Sequence, residues 1–198
     1  MEKKHRDWWD WGVNPAFRFF VNDPSGFFKY RAGFNEYVRV FPWKGSVLMA
    51  ALEQYPLNNV STSNVASAQP VRTDYVFYTY EKVLMDKLLV DQMVKLPHEI
   101  YARAAVGYLE TEYAGLDWEV AKPFWGGRLM VGLSGSVVKK REIGKAFSFK
   151  ENDWKSSYTT AFLNTALNIP EAEMTLDLRT GQFLAGDRGT RITLSKFF

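Results

Sequence analysis

The chain has 198 residues, and 25 Lys plus Arg against 22 Asp plus Glu leave a formal charge of +3. So even a balance excludes a nucleic-acid binder driven by phosphate neutralisation, and 24% charged beside 46% apolar residues excludes an intrinsically disordered chain. There is no Cys, and the two His, His5 and His98, are far apart, so disulfides, thiolate or histidine metal sites and a Ser-His-Asp triad are all ruled out and no cofactor is expected.

The N-terminal stretch, with Trp8-Trp9-Asp10-Trp11, has no apolar core of the kind a signal peptide carries. Residues 1–13 read as an aromatic, charged lead-in whose Trp cluster anchors at a membrane interface, and 14–198 as one β domain. No run approaches 18 apolar residues, which excludes a membrane helix but not a membrane barrel, whose strands alternate.

A first strand is expected over 14–21. Asn22-Asp23-Pro24-Ser25-Gly26 is a tight-turn sequence. Residues 27–41 then alternate: Phe28, Tyr30, Ala32, Phe34, Val38 and Val40 fall on one face, and Lys29, Arg31, Asn35 and Arg39 on the other. Strands follow over 46–55, 71–80 and 84–96, the last also compatible with a helical period. Residues 98–110 set Ala104 and Val106 against Arg103; 114–124 set Leu116 and Trp118 against Asp117 and Glu119; 127–138 set Leu133 and Val137 against Ser134 and Ser136. Strands over 155–168, 171–180 (Leu176 and Leu178 against Glu173, Asp177 and Arg179) and 189–197 bring the total to about eleven. Two connections are long: a Ser- and Asn-rich stretch over 56–70 and a charged one over 139–155.

Alternation of this kind suits a soluble sandwich or lipocalin-like barrel as well as an outer-membrane barrel. Strands of about ten residues, longer than the usual five or six, favour the membrane. So do aromatic pairs at strand ends: Phe19 and Phe20, Phe27 and Phe28, Phe41 and Trp43, Tyr78 and Tyr80, Phe124 and Trp125, Phe197 and Phe198.

Catalytic patterns are weak. Gly132-Leu133-Ser134-Gly135-Ser136 is not a nucleophile elbow, since it lies within a strand and has no His to serve it. The acid pairs Asp117/Glu119 and Glu171/Glu173 read as solvated strand faces. Asn59-Val60-Ser61 matches the glycosylation sequon by accident, and Lys139-Lys140-Arg141 reads as a solvated turn. No enzymatic activity is expected.

Several stretches, in order, resemble the YjbH family of exopolysaccharide-associated outer-membrane proteins. They are Asn22-Asp23-Pro24-Ser25-Gly26-Phe27, Pro70-Val71-Arg72-Thr73-Asp74, Ala105-Val106-Gly107-Tyr108-Leu109-Glu110 with Tyr113-Ala114-Gly115, Lys122-Pro123-Phe124, and Leu184-Ala185-Gly186-Asp187-Arg188-Gly189-Thr190 before Leu194-Ser195. The resemblance implies an antiparallel up-and-down β-barrel in the Gram-negative outer membrane that helps export an extracellular polysaccharide, with no catalytic residues to carry over. Family members are longer and carry a lipoprotein-type signal, so a partial-length member is expected. Its partners would be membrane lipid, the polysaccharide, and other export proteins or further barrel strands. The lumen wall would then present Lys29, Arg31, Asn35, Arg39, Arg103, Asp117, Glu119, Glu173, Asp177 and Arg179.

Overall fold

The computed structural model describes residues 7–63, 65 and 67–196. The expected end-girdle residues Phe197 and Phe198, and His5, lie outside the described residues. The chain is all-β. Ten strands form one sheet in the order of the sequence: β1 Trp9–Asp23, β2 Gly26–Val40, β3 Ser46–Asn58, β4 Val83–Lys95, β5 Tyr101–Tyr108, β6 Tyr113–Phe124, β7 Leu129–Lys140, β8 Tyr158–Ile169, β9 Met174–Gln182 and β10 Arg188–Lys196. The order is linear: the sheet is not closed, and ends at β1 and β10.

The expected count of about eleven strands corrects to ten. The segment 71–80 is not a strand; it holds the single-turn helix α1, Tyr75–Tyr78. Tyr75-Val76-Phe77-Tyr78 has no period of two, so no single sheet face could be satisfied by it. A helical turn instead sends Tyr75 and Tyr78 to different partners. The competing helical period in 84–96 is overridden, and β4 pairs within the sheet. β1 begins at Trp9, inside the stretch expected to precede the domain, because Trp9, Trp11 and Val13 extend the apolar parity of Phe17 and Phe19 and pair with Val40, Val38 and Glu36 of β2.

The residues cluster into two compact units, one of Met1–Asp91, Val106–Ala114 and Lys139–Ser156, the other of Gln92–Ala105, Gly115–Val138 and Ser157–Phe198. In the first unit the β1–β2 register places Trp11, Pro15, Phe17, Phe19 and Val21 with Val38, Phe34, Ala32, Tyr30 and Phe28 on one face. The opposite face carries Asp10, Asn14 and Arg18 with Arg39, Asn35 and Arg31. The apolar face is the exposed one: Phe17 is 62% exposed and Phe19 61%, whereas Arg31 on the other face is fully buried. Stacked rings, Phe17 on Tyr30 and Phe19 on Phe28, tie β1 to β2 across that outer face. A β-bulge between Ala32 and Phe34 shifts β3 against β2 and lets the Gly33 backbone press on Gln54 and Tyr55.

The second unit repeats the inversion. Leu133, Val137, Leu163, Leu176, Leu178, Ile192 and Leu194 are exposed, and the registers pair Leu133 with Leu163, Leu167 with Leu176, and Leu178 with Ile192 on one face. Ser134, Phe162, Asn164, Asp177, Arg179 and Thr193 share the other. Trp118 lies over Gly135 on the apolar face, where a Cβ would meet its ring at 3.0 Å.

Connections of the four- or five-residue kind join β2 to β3, β4 to β5, β6 to β7 and β8 to β9. The long ones, residues 59–82 and 141–157, both leave the opposite end of the meander, because an even number of strands lies between them.

Candidate functional site

The polar face is where side-chain chemistry collects, in both units. In the second unit a groove of about 350 Å³ lies over β6–β10, with Glu119, Asn164, Asp177, Arg179, Arg191 and Thr193 among its polar lining. Strand pairing builds it. Asn164 of β8 is opposite Arg179 of β9, Arg179 is opposite Arg191 of β10, and Asp177 is opposite Thr193. Small residues leave the space: Gly132 and Ala121 stand where larger side chains would fill the floor. The Arg179 guanidinium lies 3.7 Å over the Phe162 ring, which fixes it by a cation–π contact and keeps its polar edge available. Alternating charges with amide and hydroxyl groups suit many weak hydrogen bonds to a hydrated polyol.

In the first unit the polar face is covered by the two long connections. Asp74, at the start of α1, is buried between two lysines: Lys140 Nζ donates to its Oδ1 at 2.5 Å and Lys150 Nζ to its Oδ2 at 3.3 Å. Lys140 also donates to the carbonyls of Pro70 and Val71, both at 3.0 Å. Arg141 reaches the carbonyls of Met85 and Glu110, and Tyr78 donates to the carbonyl of Arg141 at 2.6 Å. Trp154 Nε1 donates to Pro70 O, joining the second connection to the first. The reading of Lys139-Lys140-Arg141 as a solvated turn therefore corrects: Lys139 is exposed, but Lys140 and Arg141 are buried, Lys140 against a carboxylate and two carbonyls and Arg141 with its two terminal nitrogens on the carbonyls of Met85, Glu110 and Ala146.

Glu112, just before β6, is buried here too. Arg72 donates to its Oε2 at 3.1 Å, and Oε1 has no partner. Burial pushes its carboxyl up to about 7, outweighing the attraction of Lys140 and Arg72. Burial likewise raises the Tyr78 phenol, and Asp74 and Glu112 add to the effect.

The structure distributes the ten expected wall residues unevenly. Glu119, Asp177 and Arg179 meet in the groove. Arg103 and Asp117 pair at 2.9 Å, and Arg39 makes a two-pronged contact with Asp10 at 2.8 and 2.7 Å. Lys29 donates to Ser61 Oγ at 3.0 Å, near the β1–β2 turn. Asn35 lies between Asn14 and Glu53 in the ladder. Arg31 lies on the polar face but is sealed off from solvent. Glu173 is not on a strand wall: it follows the turn Pro170–Ala172 in the left-handed conformation, φ 54°, and β9 begins one residue later.

Participants not singled out in the sequence include Arg18, Glu53, Tyr55, Tyr75, Glu112, Lys150, Asn164 and Arg191. Arg18 had a signal, a lone cation between Phe17 and Phe19 on the opposite parity. Tyr75 had none, because a residue in a long connection has no periodicity to place it. Among the described residues no group of three or more metal-ligating side chains comes together, and no helix is long and apolar enough to cross a membrane.

Comparison with known proteins adds a family. A family model described as exopolysaccharide biosynthesis protein YbjH matches residues 1–198. A curated relative, "Uncharacterized lipoprotein YjbH" of Escherichia coli (strain K12), is 24% identical over 96% of this chain, and the chain spans 28% of that relative's length. No solved structure matches.

Proposed function

Because the chain belongs to the YjbH family of exopolysaccharide biosynthesis proteins, we propose that it is an outer-membrane β-barrel, or part of one, that assists secretion of an extracellular polysaccharide. The observation that carries this reading is the reversal of polarity. Phe, Trp, Leu and Val cover the exposed face of strand after strand, while Arg, Lys, Glu, Asp and Tyr are buried or half-buried on the other. In water such an exposed apolar surface is costly; in hydrocarbon it is the stable arrangement. The exposed rings of Trp8, Trp43, Phe124 and Trp125 stand at or beside strand ends, where interfacial girdles belong. The relative's description as a lipoprotein fits the same envelope. The partners are membrane lipid, the polymer, and export proteins or further barrel strands.

The role is that of a conduit without bond-breaking chemistry. In the groove Glu119 and Asp177 stand among Arg179 and Arg191, a wall of mixed charge rather than a pair of acids set on either side of one glycosidic bond. The polar face would offer sugar hydroxyls a series of shallow, exchangeable contacts.

Two measurements test this reading. The protein should require detergent for purification and migrate differently on a gel before and after heating. Purification from buffer as a monodisperse species ends the barrel proposal. Incubation with the cognate polymer should release no new reducing ends. Their appearance, abolished by Glu119→Gln, overturns the non-enzymatic role.

A further inference from the structure

Arg31 is a cation of the first unit's interior whose three guanidinium nitrogens have no acceptor among the described residues. The β1–β2 ladder places it directly opposite Arg18, an arrangement of like charges that destabilises a sheet unless something compensates. The two arginines fare differently. Arg18 is part-exposed and fully engaged: Nη2 donates to Glu53 Oε1 at 2.5 Å and Nη1 to the Tyr75 hydroxyl at 2.5 Å. Arg31 is 0% exposed, with its guanidinium 3.4 Å over the ring of Tyr55. Its Nε, Nη1 and Nη2 meet no acceptor among the described residues, and the buried Tyr55 hydroxyl and Glu53 Oε2 have no partner either.

The charge does not balance. The titratable groups facing Arg31 are Arg18, Glu53, Tyr55 and Tyr75. Two cations and one carboxylate leave a surplus of one positive charge, and the carboxylate is committed to Arg18. A buried ion is tolerated when it is paired and hydrogen-bonded. Here the planar fork of guanidinium donors and the phenol hydroxyl of the ring beneath it have nothing to accept them.

We infer that the Arg31–Tyr55 cluster is a binding site for a single carboxylate. The deficit is one charge, which a carboxylate supplies and a phosphate dianion would overshoot beside Glu53. Tyr55 occupies one flat side of the guanidinium and leaves the edge, and two parallel N–H donors on that edge match the two oxygens of a carboxylate. The Tyr55 hydroxyl is a further donor. The hydrogen bond from Arg18 to Tyr75 ties the cluster to α1. Identifying the carboxylate as that of an acidic sugar rests on the polysaccharide reading above; the anion site does not.

The test is thermal unfolding of the full chain, in whichever solution keeps it soluble, against increasing sodium glucuronate, with glucose, sodium acetate and inorganic phosphate as parallel arms at matched ionic strength. The midpoint should rise saturably with glucuronate and not with glucose, as binding to the folded state alone requires. Acetate should act more weakly than glucuronate. Arg31→Met should weaken glucuronate binding by on the order of 30-fold or more. Without glucuronate the same variant should unfold at or above the wild-type midpoint, because an unpaired buried charge has been removed, so loss of response cannot be ascribed to misfolding. Arg31→Lys should keep a reduced response.

No shift with any anion overturns the site. A shift that survives in Arg31→Met places the anion elsewhere and also overturns it. An equal response to phosphate overturns the assignment to carboxylate. Each arm is read on purified protein, so a failure of the secretion reading leaves these outcomes interpretable.

Discussion

Glu112 shows how a residue's surroundings set the pH response of the whole domain. Its carboxyl is held near 7 in the folded protein against an ordinary 4.5. Between those values the folded state keeps a proton that the unfolded chain has released, so stability falls as pH rises from about 4.5 to 7 and levels off above. Lys140, Arg72, Asp74 and Glu110 face it, and the first two keep the fall below the full desolvation cost. Glu112→Gln should flatten denaturant-unfolding stability across that window, where the wild type loses up to about 3 kcal/mol; an unchanged slope would exonerate Glu112. Neighbouring lysines give a sharper contrast. Lys140→Met strands the buried Asp74 with only the longer Lys150 contact and should cost about 3 kcal/mol. Lys139→Ala, on an exposed side chain, should stay within about 0.5 kcal/mol. These roles could not be read from Lys139-Lys140-Arg141, since three basic residues look alike until the fold decides which of them meets Asp74.

At the scale of the element, alternation made the strands legible. Leu116-Asp117-Trp118-Glu119-Val120 has one parity for each face, and β6 uses both as written, with the apolar parity exposed. β7 and β8 follow the same rule through Leu133 and Leu163. Alternation is silent on contacts that depend on backbone approach. Gly181 adopts φ 153°, and a Cβ there would sit 2.0 Å from the carbonyl oxygen of Ala161 on β8. Gly181→Ala should therefore part β8 from β9, costing about 2 kcal/mol, and amide exchange should accelerate in those two strands first. Gly189, whose added Cβ would meet only Phe183 at 3.5 Å, should accept Ala without such loss. The missed element, α1, lies in the connection 59–82, and its conformation is set by Arg18, Lys140 and Arg141, distant partners that leave no local trace.

For the molecule as a whole, which face meets the surroundings decides the response to a buried or exposed charge. Val106 is 54% exposed on the apolar face. In a bilayer, Val106→Arg near the midplane should cost roughly 2–4 kcal/mol in a vesicle-folding assay, whereas on a water-facing sheet it should cost almost nothing. The groove was legible in part, because Glu119, Asp177 and Arg179 share the polar parity, but the sequence had no means of setting them beside Asn164 and Arg191.

The clasp between the two long connections carries a consequence for timing. Asp74 and Lys140 stand 66 positions apart, with β4, β5 and β6 and most of β7 between them. A ring closure over that span is slow to form, and local hairpins such as β1–β2 precede it. A chain laid down from its N-terminus thus carries Asp74 and Glu112 as hydrated acids until the seventh strand arrives with their lysine. Until then the connection 59–82 should be cut readily by protease; afterwards, it should resist. The seventh strand acts as the clock of assembly, and a chain halted after Phe124 should never acquire that resistance.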